Sequence, residues 1–218
     1  MKILVLILAS EGYEAFEESW RAHIRAAESC TCYFYKCDPT QADLFVLKGD
    51  TLFIKLAESL ENVWQKTLLA FQYFEPSLHE YDFVLRPNMS TVILFDRYLT
   101  AASRFPTTEC CAAYVGWRNN LPFPAGTAFT LSPDLVRRLV RDPPPCYVMD
   151  DVTLGMEMVK YGVPLIHLSR NDNPGRVFCP LGCFQIRLKT KNREHDAALH
   201  SQFLTLQHAI DSRPPAHP

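Results

Sequence analysis

The stretch that decides the fold reads Tyr81-Asp-Phe-Val-Leu-Arg-Pro-Asn-Met-Ser-Thr91. Its apolar part, Phe83 to Leu85, predicts a short buried strand. The strand is expected to stop at Arg86-Pro87, because proline lacks a backbone N–H and favours an extended residue before it. A second apolar run starts at Val92, and polar residues at the carboxyl end of a strand in an open α/β sheet commonly bind ligands. Residues 88–91 are therefore either part of a binding site or an ordinary polar turn.

Strands and helices alternate on both sides of this stretch. The predicted strands are residues 2–9, 32–35, 44–47, 83–85, 92–94, 127–131, 164–168 and 183–188. The predicted helices are residues 13–27, 54–74, 97–102, 133–141, 150–161 and 196–210. This alternation predicts an α/β fold with a mixed, mostly parallel central sheet flanked by helices. We expect one domain over residues 1–211 and a disordered tail over 212–218.

Two helix boundaries and two loops carry specific sequence signals. Ser132-Pro133-Asp134 combines a capping residue, proline at the first helical position and an acidic first turn, which predicts a helix start. A helix opened by Asp150 is expected to close at Gly162. Residues 114–126 are rich in Gly, Pro, Asn and aromatics, and predict an ordered functional loop. Residues 170–180 also predict a polar loop.

The composition excludes several classes of protein. The 218 residues are 48% hydrophobic and 21% charged, which suits a folded core, and the net charge of −2 provides no attraction to nucleic acid. The chain has no apolar run of the roughly 20 residues that a transmembrane helix needs. Residues 1–9 resemble a signal peptide, but glutamates follow without a cleavage site, so we interpret them as a first buried strand.

The eight cysteines predict free thiols, since disulfide frameworks are typical of smaller secreted domains. A zinc site at Cys179 and Cys183 would need two more ligands, and no second CxxC or HxxxH pattern supplies them. The sequence also lacks a P-loop, GxGxxG after the first strand, GxSxG and HExxH.

Two groups of charged residues are candidates for chemistry. Asp150-Asp151 stands at a predicted helix start, where carboxylates favour the helix N-terminus and where a general base can also be presented. Both interpretations remain open on spacing alone. Lys66, Arg86 and the Arg187/Lys189 pair could bind an anion, and the pair could equally form a solvated basic strand edge.

The order of these motifs resembles the GT-A fold glycosyltransferases that use nucleotide-sugars, and the fringe and β1,3-galactosyltransferase group in particular. Four blocks within about residues 1–170 carry the resemblance. They are the first strand with Trp20-Arg21, then Gly49-Asp50 with Gln65-Lys66-Thr67 and Tyr81–Arg86, then Gly126–Ser132, and finally Asp150-Asp-Val-Thr-Leu-Gly155. The last two blocks, at this spacing, are the more specific pair.

The chain departs from this family at one important position. The family carries an acidic motif that binds manganese and the donor diphosphate, and Asn88-Met89-Ser90 stands in its place. Asparagine and serine are poor ligands for Mn²⁺ or Mg²⁺. Three alternatives follow: a metal-independent enzyme that uses basic residues, weak metal binding through Asn88 with His167, or lost activity. We favour the first, because the leaving group needs charge stabilisation but not a metal specifically.

The resemblance implies an inverting transfer from a nucleotide-sugar to a hydroxyl of a glycan or glycoprotein. It implies Asp151 as the base, with Asp150 as second choice. Donor-binding residues are expected to be Ser10, Glu11, Lys66, Arg86, Asn88, Ser90, Arg187 and Lys189. Acceptor-binding residues are expected to be Trp117, Gly126 and Thr127. Trp117, Tyr114 and Phe123 are candidates to stack on an acceptor sugar, and they could instead be loop core.

The sequence leaves two rival functions open: an inactive domain that binds sugar nucleotides or glycans, and a retaining transferase. The resemblance to small members of the fold suggests a soluble cytoplasmic protein. A lumenal catalytic domain cut from a membrane-anchored enzyme is the alternative.

Overall fold

The computed structural model describes residues 1–24, 29–147, 149–177, 179–180 and 182–211, with side chains as far as residue 205. Its strands are β1 (Ile3–Leu8), β2 (Cys30–Cys37), β3 (Phe45–Lys48), β4 (Thr51–Ile54), β5 (Phe83–Pro87), β6 (Thr91–Ile93), β7 (Cys111–Arg118), β8 (Leu121–Leu131), β9 (Leu165–His167), β10 (Arg170–Asp172) and β11 (Gln185–Arg187). Its α-helices are α1 (Glu17–Ile24), α2 (Val63–Phe74), α3 (Phe95–Ala102), α4 (Pro133–Arg141), α5 (Asp150–Tyr161) and α6 (Arg193–Asp211).

Eight of these strands form one sheet, in the order β3-β4-β2-β1-β5-β8-β7-β9. Strands β2, β1, β5 and β4 run parallel to one another, and β7 and β9 share their direction. Strands β3 and β8 run the opposite way. A small second sheet has the order β10-β11-β6. The predicted class, a mixed and mostly parallel sheet flanked by helices, is confirmed.

Strand β1 shows why the helices pack on both faces of the large sheet. All six of its residues are buried, and successive side chains point to opposite faces. Ile3, Val5 and Ile7 join a core with α1, α3 and α6, and the alternate residues join a second core with α2, α4 and α5. Helices on both faces leave the strand ends open, and this is where the candidate site lies.

The helix predicted over residues 54–74 is wrong at its start. Residues 51–54 are strand β4, which pairs in parallel with β2, and the helix begins only at Val63. A two-residue turn at Gly49-Asp50 joins β4 to β3, with Gly49 at φ +60°. Leu60, which lies inside the predicted range, is 93% exposed in the connection between β4 and α2.

The loop predicted over residues 114–126 is also wrong, since β7 and β8 form an antiparallel hairpin there. Its two-residue turn is Asn119-Asn120, with φ of 49° and 61°. Positive φ at both central residues is the geometry of a type I′ hairpin turn, which asparagine tolerates well. Pro122 and Pro124 lie within β8 and make the strand hard to predict from sequence, because proline is uncommon inside strands.

The remaining elements differ from prediction mainly at their ends. Helix α4 runs from Pro133 to Arg141 as expected, although the Ser132 hydroxyl accepts a bond from the Cys110 N–H instead of capping the helix. Gly162 ends α5 at φ +72°. Helix 13–27 begins as a 3₁₀ turn, Glu14–Phe16, before α1, and residues 25–27 are not described.

Near the carboxyl end, the predicted 170–180 loop contains strand β10. Helix α6 begins at Arg193, three residues before its predicted start. The predicted tail lies outside the described residues. All eight cysteines are free, and Cys146 is exposed. None of the helices in the described ranges is both long and apolar enough to cross a membrane.

Gly155 lets α5 approach the hairpin closely, and its replacement should destabilise the fold. A Cβ at this position would lie 2.7 Å from the Phe123 Cβ and 2.7 Å from the Pro122 carbonyl oxygen. We expect Gly155→Ala to lower the free energy of unfolding by about 1–3 kcal/mol, the usual cost of overpacking. Urea denaturation measures this change. Gly175→Ala is the control, because a Cβ there meets nothing within 4 Å. A neutral Gly155→Ala variant would contradict the assigned packing.

Candidate functional site

A cleft of about 600 Å³ lies at the carboxyl ends of β1 and β5, between the β7–β8 hairpin and the N-terminus of α5. Ten of the thirteen residues predicted for a site line it: Ser10, Glu11, Asn88, Ser90, Gly126, Thr127, Asp150, Asp151, Arg187 and Lys189. The other three, Lys66, Arg86 and Trp117, are not among the lining residues. The cleft therefore brings together residues from widely separated parts of the sequence.

The turn after β5 is held rigidly at the centre of the cleft. The Asn88 N–H donates to the Thr127 carbonyl oxygen (2.8 Å), and the Met89 N–H donates to that of Leu8 (3.2 Å). The turn closes with a bond from the Thr91 N–H to the Asn88 carbonyl oxygen (3.0 Å). The buried Trp20 indole N–H donates to the Met89 carbonyl oxygen (2.7 Å). These contacts tie the turn to β1, β8 and α1.

Arg86 lies beneath the turn and is fully buried. Its Nε donates to the Tyr35 hydroxyl (3.0 Å), and its Nη1 donates to the Asn88 Oδ1 (2.9 Å) and the Gly126 carbonyl oxygen (2.8 Å). Its Nη2 forms an ion pair with Asp150 (2.8 Å). Burial opposes its charge, but the contacts with Tyr35 and Asp150 leave the pKa of Arg86 raised above its ordinary value. The predicted direct contact with a donor does not match this position.

Lys66 is a second buried cation that does not reach the cleft. Its Nζ donates to the Ala9 carbonyl oxygen (2.6 Å) and forms an ion pair with Glu58 (2.7 Å). Glu58 itself lines the cleft. Lys66 therefore fixes the end of β1 and one cleft carboxylate, a positioning contact in place of the predicted donor contact.

The two adjacent aspartates occupy different environments at the start of α5. Asp150 is paired with Arg86, whereas the Asp151 carboxylate accepts bonds from the N–H groups of Gly126 (3.1 Å) and Val152 (2.9 Å). Burial, and then the negative charge of Asp150, raise the pKa of Asp151 above its ordinary value. A carboxylate with a raised pKa in a cleft can act as a proton acceptor.

The second sheet provides a basic wall. Arg187 on β11 and Lys189 just after it line the cleft, and neither side chain has a hydrogen-bond or ion-pair partner among the residues that the structure describes. Arg187 pairs with Thr91 in the antiparallel register of β11 and β6, which places it next to the turn. Unpaired cations at this position can bind an anionic ligand.

Arg170 lines the same cleft, and the sequence analysis missed it. Its Nη1 donates to the Thr127 hydroxyl (2.9 Å), its Nη2 pairs with Asp172 (2.8 Å), and its guanidinium stacks 4.0 Å from the Tyr114 ring centre. The residue was assigned to a polar loop. The alternation of Arg170 and Asp172 was the only signal that these residues share one face of a strand.

The three aromatic candidates separate in the structure. Trp117 is 70% exposed near the hairpin tip, outside the cleft lining. Tyr114 and Phe123 line the cleft, and Phe123 also packs against Gly116 and Gly155. Thus Phe123 connects the hairpin to α5, while Trp117 remains available at the surface.

The turn residues do not fit a divalent cation. The Asn88 oxygen already accepts a bond from the Arg86 guanidinium, and a metal ion there would meet a fixed positive charge. His167, the other suggested ligand, accepts a bond from the Val115 N–H and is not in the cleft lining. Within the described ranges, no group of three or more His, Cys, Asp or Glu residues is placed to hold a metal, at Cys179 and Cys183 or elsewhere.

Comparison with known proteins connects this architecture to glycosyltransferases. No protein-family model and no curated protein matches the chain. Among solved structures, the chain is similar to a glycosyltransferase involved in the glycosylation of the major capsid of PBCV-1. That match has a TM-score of 0.58 at 10% identity, and covers 91% of this chain and 99% of the other.

The glycosyltransferase GlyE of Streptococcus pneumoniae TIGR4 is a second match, with a TM-score of 0.52 at 14% identity. It covers 100% of this chain and 66% of the GlyE chain. The chain thus shares the fold of these glycosyltransferases, which is consistent with the predicted GT-A class. The narrower resemblance to the fringe and β1,3-galactosyltransferase group stays a prediction.

Removal of the Arg86 guanidinium should destabilise the protein strongly. We expect Arg86→Met to lower the free energy of unfolding by about 3–5 kcal/mol, because it leaves Asp150 without its buried partner. Arg137→Met is the matched control, since Arg137 forms a half-exposed ion pair with Glu75 at 3.8 Å, and should cost less than about 1 kcal/mol. Equilibrium denaturation of both variants measures the difference. Equal losses would show that Arg86 does not organise the site.

Proposed function

We propose that this protein is a glycosyltransferase that moves a sugar from a nucleoside-diphosphate-sugar to a hydroxyl of a glycan or glycoprotein acceptor. We further propose that the transfer is inverting and independent of metal. The observation that carries this proposal is the Asp151 carboxylate, held in the cleft of a glycosyltransferase fold with a raised pKa and two backbone N–H contacts. The basic wall of Arg187 and Lys189, which lines the same cleft, supports an anionic donor.

The donor diphosphate is assigned to the turn and the basic wall. Arg187 and Lys189 provide positive charge, and Asn88 and Ser90 provide polar groups next to it. Fixed cations stabilise the charge that develops on a leaving diphosphate, in a site where few water molecules compete. Ser10 and Glu11 line the end of the cleft beside β1 and are assigned to the remainder of the donor. Arg86 and Lys66 act from beneath by holding Asp150, Asn88 and Glu58 in place.

In the proposed reaction, Asp151 takes the proton from the acceptor hydroxyl. The acceptor oxygen forms a bond to the anomeric carbon from the face opposite the diphosphate. The bond between that carbon and the diphosphate oxygen breaks, and its electron pair leaves with the nucleoside diphosphate towards Arg187 and Lys189. Ion pairing of Asp150 with Arg86 leaves Asp151 as the aspartate available for this role.

The acceptor is assigned to the hairpin side of the cleft. Gly126 donates its N–H to Asp151, and Thr127 follows it on β8, so an acceptor hydroxyl near these residues lies beside the base. Trp117 at the hairpin tip offers an exposed ring for stacking on a sugar farther from the reaction centre.

A binding module without activity is the second candidate, and the Asn88-Met89-Ser90 sequence is the observation that favours it. The two candidates differ in turnover. A thermal-shift screen with nucleotide-sugars, with and without manganese, identifies a donor, because a ligand of the native state raises its apparent stability. A product assay with glycan acceptors follows. Binding with no transfer and no hydrolysis would favour the module, and retained anomeric configuration in the product would contradict inversion.

With the donor found in that screen, Asp151→Asn should abolish transfer and spare donor binding. Loss of a general base typically lowers turnover by about 10²–10⁴-fold. Turnover is measured from product formation, and binding from the thermal shift. Asp134→Asn is the matched control, because Asp134 is a first-turn carboxylate of α4 outside the cleft lining. Near-normal turnover of Asp151→Asn would show that the base is assigned wrongly.

The raised pKa of Asp151 predicts the acid side of the pH profile. The base acts as a carboxylate, so kcat/KM should fall with decreasing pH around a pKa above the ordinary aspartate value of about 3.9. Asp150→Asn should move this fall to lower pH, because it removes a neighbouring negative charge that raises the pKa of Asp151. Asp43→Asn, at an exposed position, controls for the change in net charge and should leave the profile unchanged. An acid limb unmoved by Asp150→Asn would argue against Asp151 as the titrating group.

A further inference from the structure

The amide of Asn88 has its orientation determined by Arg86. A guanidinium carries only N–H donors, so the atom that lies 2.9 Å from the Arg86 Nη1 must be the amide oxygen of Asn88. Arg86 cannot turn away, because Tyr35, Gly126 and Asp150 hold its other N–H groups. Rotation of the amide by 180° would place its NH₂ group against the guanidinium and lose this bond. The amide nitrogen therefore points away from Arg86.

The Asn88 amide nitrogen therefore lies on the side of the residue that borders the cleft. Asn88 is a half-buried lining residue, whereas Arg86 is buried behind it and does not line the cleft. The Asn88 Nδ2 has no hydrogen-bond partner in the described part of the chain, so both of its N–H donors remain available. Asn88 thus presents donors at a position where a carboxylate would present acceptors.

The sheet pairing places cations around the same turn. Arg187 is the register partner of Thr91, and the Leu188 N–H donates to the Ser90 carbonyl oxygen (3.0 Å), so Lys189 follows immediately. The side chains of Arg187 and Lys189 line the cleft with Asn88. An amide NH₂ group and two cations around one rigid turn suit the oxygens of a phosphate and oppose a metal ion.

We propose that Asn88 is a phosphate-binding residue that donates hydrogen bonds to the donor diphosphate. On this proposal, the turn at residues 88–90 binds the anion directly and takes no divalent cation. The inference rests on the proposed use of a nucleoside-diphosphate-sugar. It extends that proposal by stating that the turn offers hydrogen-bond donors to the diphosphate. Arg86 is the positioning residue, because it fixes the orientation of the Asn88 amide.

Calorimetric titration tests this assignment with inorganic pyrophosphate, UDP, GDP, ADP and CDP, each in EDTA and again in manganese chloride. The wild-type protein should bind at least one of these anions in EDTA, with an affinity that manganese leaves unchanged. Asn88→Ala should weaken that binding by roughly tenfold or more, the usual effect of losing a hydrogen bond to a charged group. Asn88→Asp should weaken it further, since it replaces the NH₂ group by a charged oxygen, and manganese should not restore it.

Asn119→Asp is the matched control, because it makes the same chemical change in the hairpin turn, outside the cleft lining. It should bind the anion within about twofold of the wild type, and thermal melting confirms that all three variants are folded. Wild-type binding with no loss in either Asn88 variant would overturn the role of Asn88 and leave the donor site standing. If manganese restored anion binding to Asn88→Asp, or if the wild type bound the anion only with manganese, the exclusion of a metal would be overturned. Failure of the wild type to bind any of these anions in either buffer would overturn the proposed function together with this inference.

Discussion

The buried guanidinium of Arg86 is the interaction on which the site depends. A charge fully removed from water is costly unless partners surround it, and an arginine side chain remains charged in proteins. Its partners come from β2, β8, the turn after β5 and the start of α5. One residue thereby positions the turn, the hairpin and the aspartate pair. The geometry of the cleft follows from the need to satisfy this one charge.

A consequence of this arrangement is that two neighbouring carboxylates differ in character. Asp150 is used to balance Arg86, and Asp151 is left partly buried beside that negative charge. The same guanidinium turns the Asn88 oxygen inward. The basic wall of Arg187 and Lys189 and the acidic start of α5 line one cleft. The proposed displacement reaction requires a proton acceptor and an anion-binding surface, and the proposal assigns Asp151 and the basic wall to these roles.

The sequence was informative wherever local chemistry decides structure. The six apolar residues of β1 specify a buried strand, and the glycine that ends α5 adopts the positive φ that a helix end favours. Proline at the first position of α4 and Asp134 in its first turn specify that helix start. Ten predicted site residues line one cleft. Ser10, Glu11, Asn88 and Ser90 meet there because they follow the neighbouring parallel strands β1 and β5, whose carboxyl ends lie at the same sheet edge. Prediction failed at β4 and at the β7–β8 hairpin. Proline and asparagine gave the hairpin the composition of a loop, and the predicted helix included residues 54–62, although α2 begins only at Val63.

By itself the sequence determined the class of fold, the candidate base and the absence of an acidic motif at residues 88–90, because each depends on residue types and their order. Only the tertiary structure decided that Arg86 and Lys66 act from beneath the cleft, that Arg170 lines it, and which way the Asn88 amide faces. These properties depend on hydrogen bonds between residues as far apart as Arg86 and Asp150. Such partners are chosen by the packing of strands and helices, and no local pattern in the sequence encodes them.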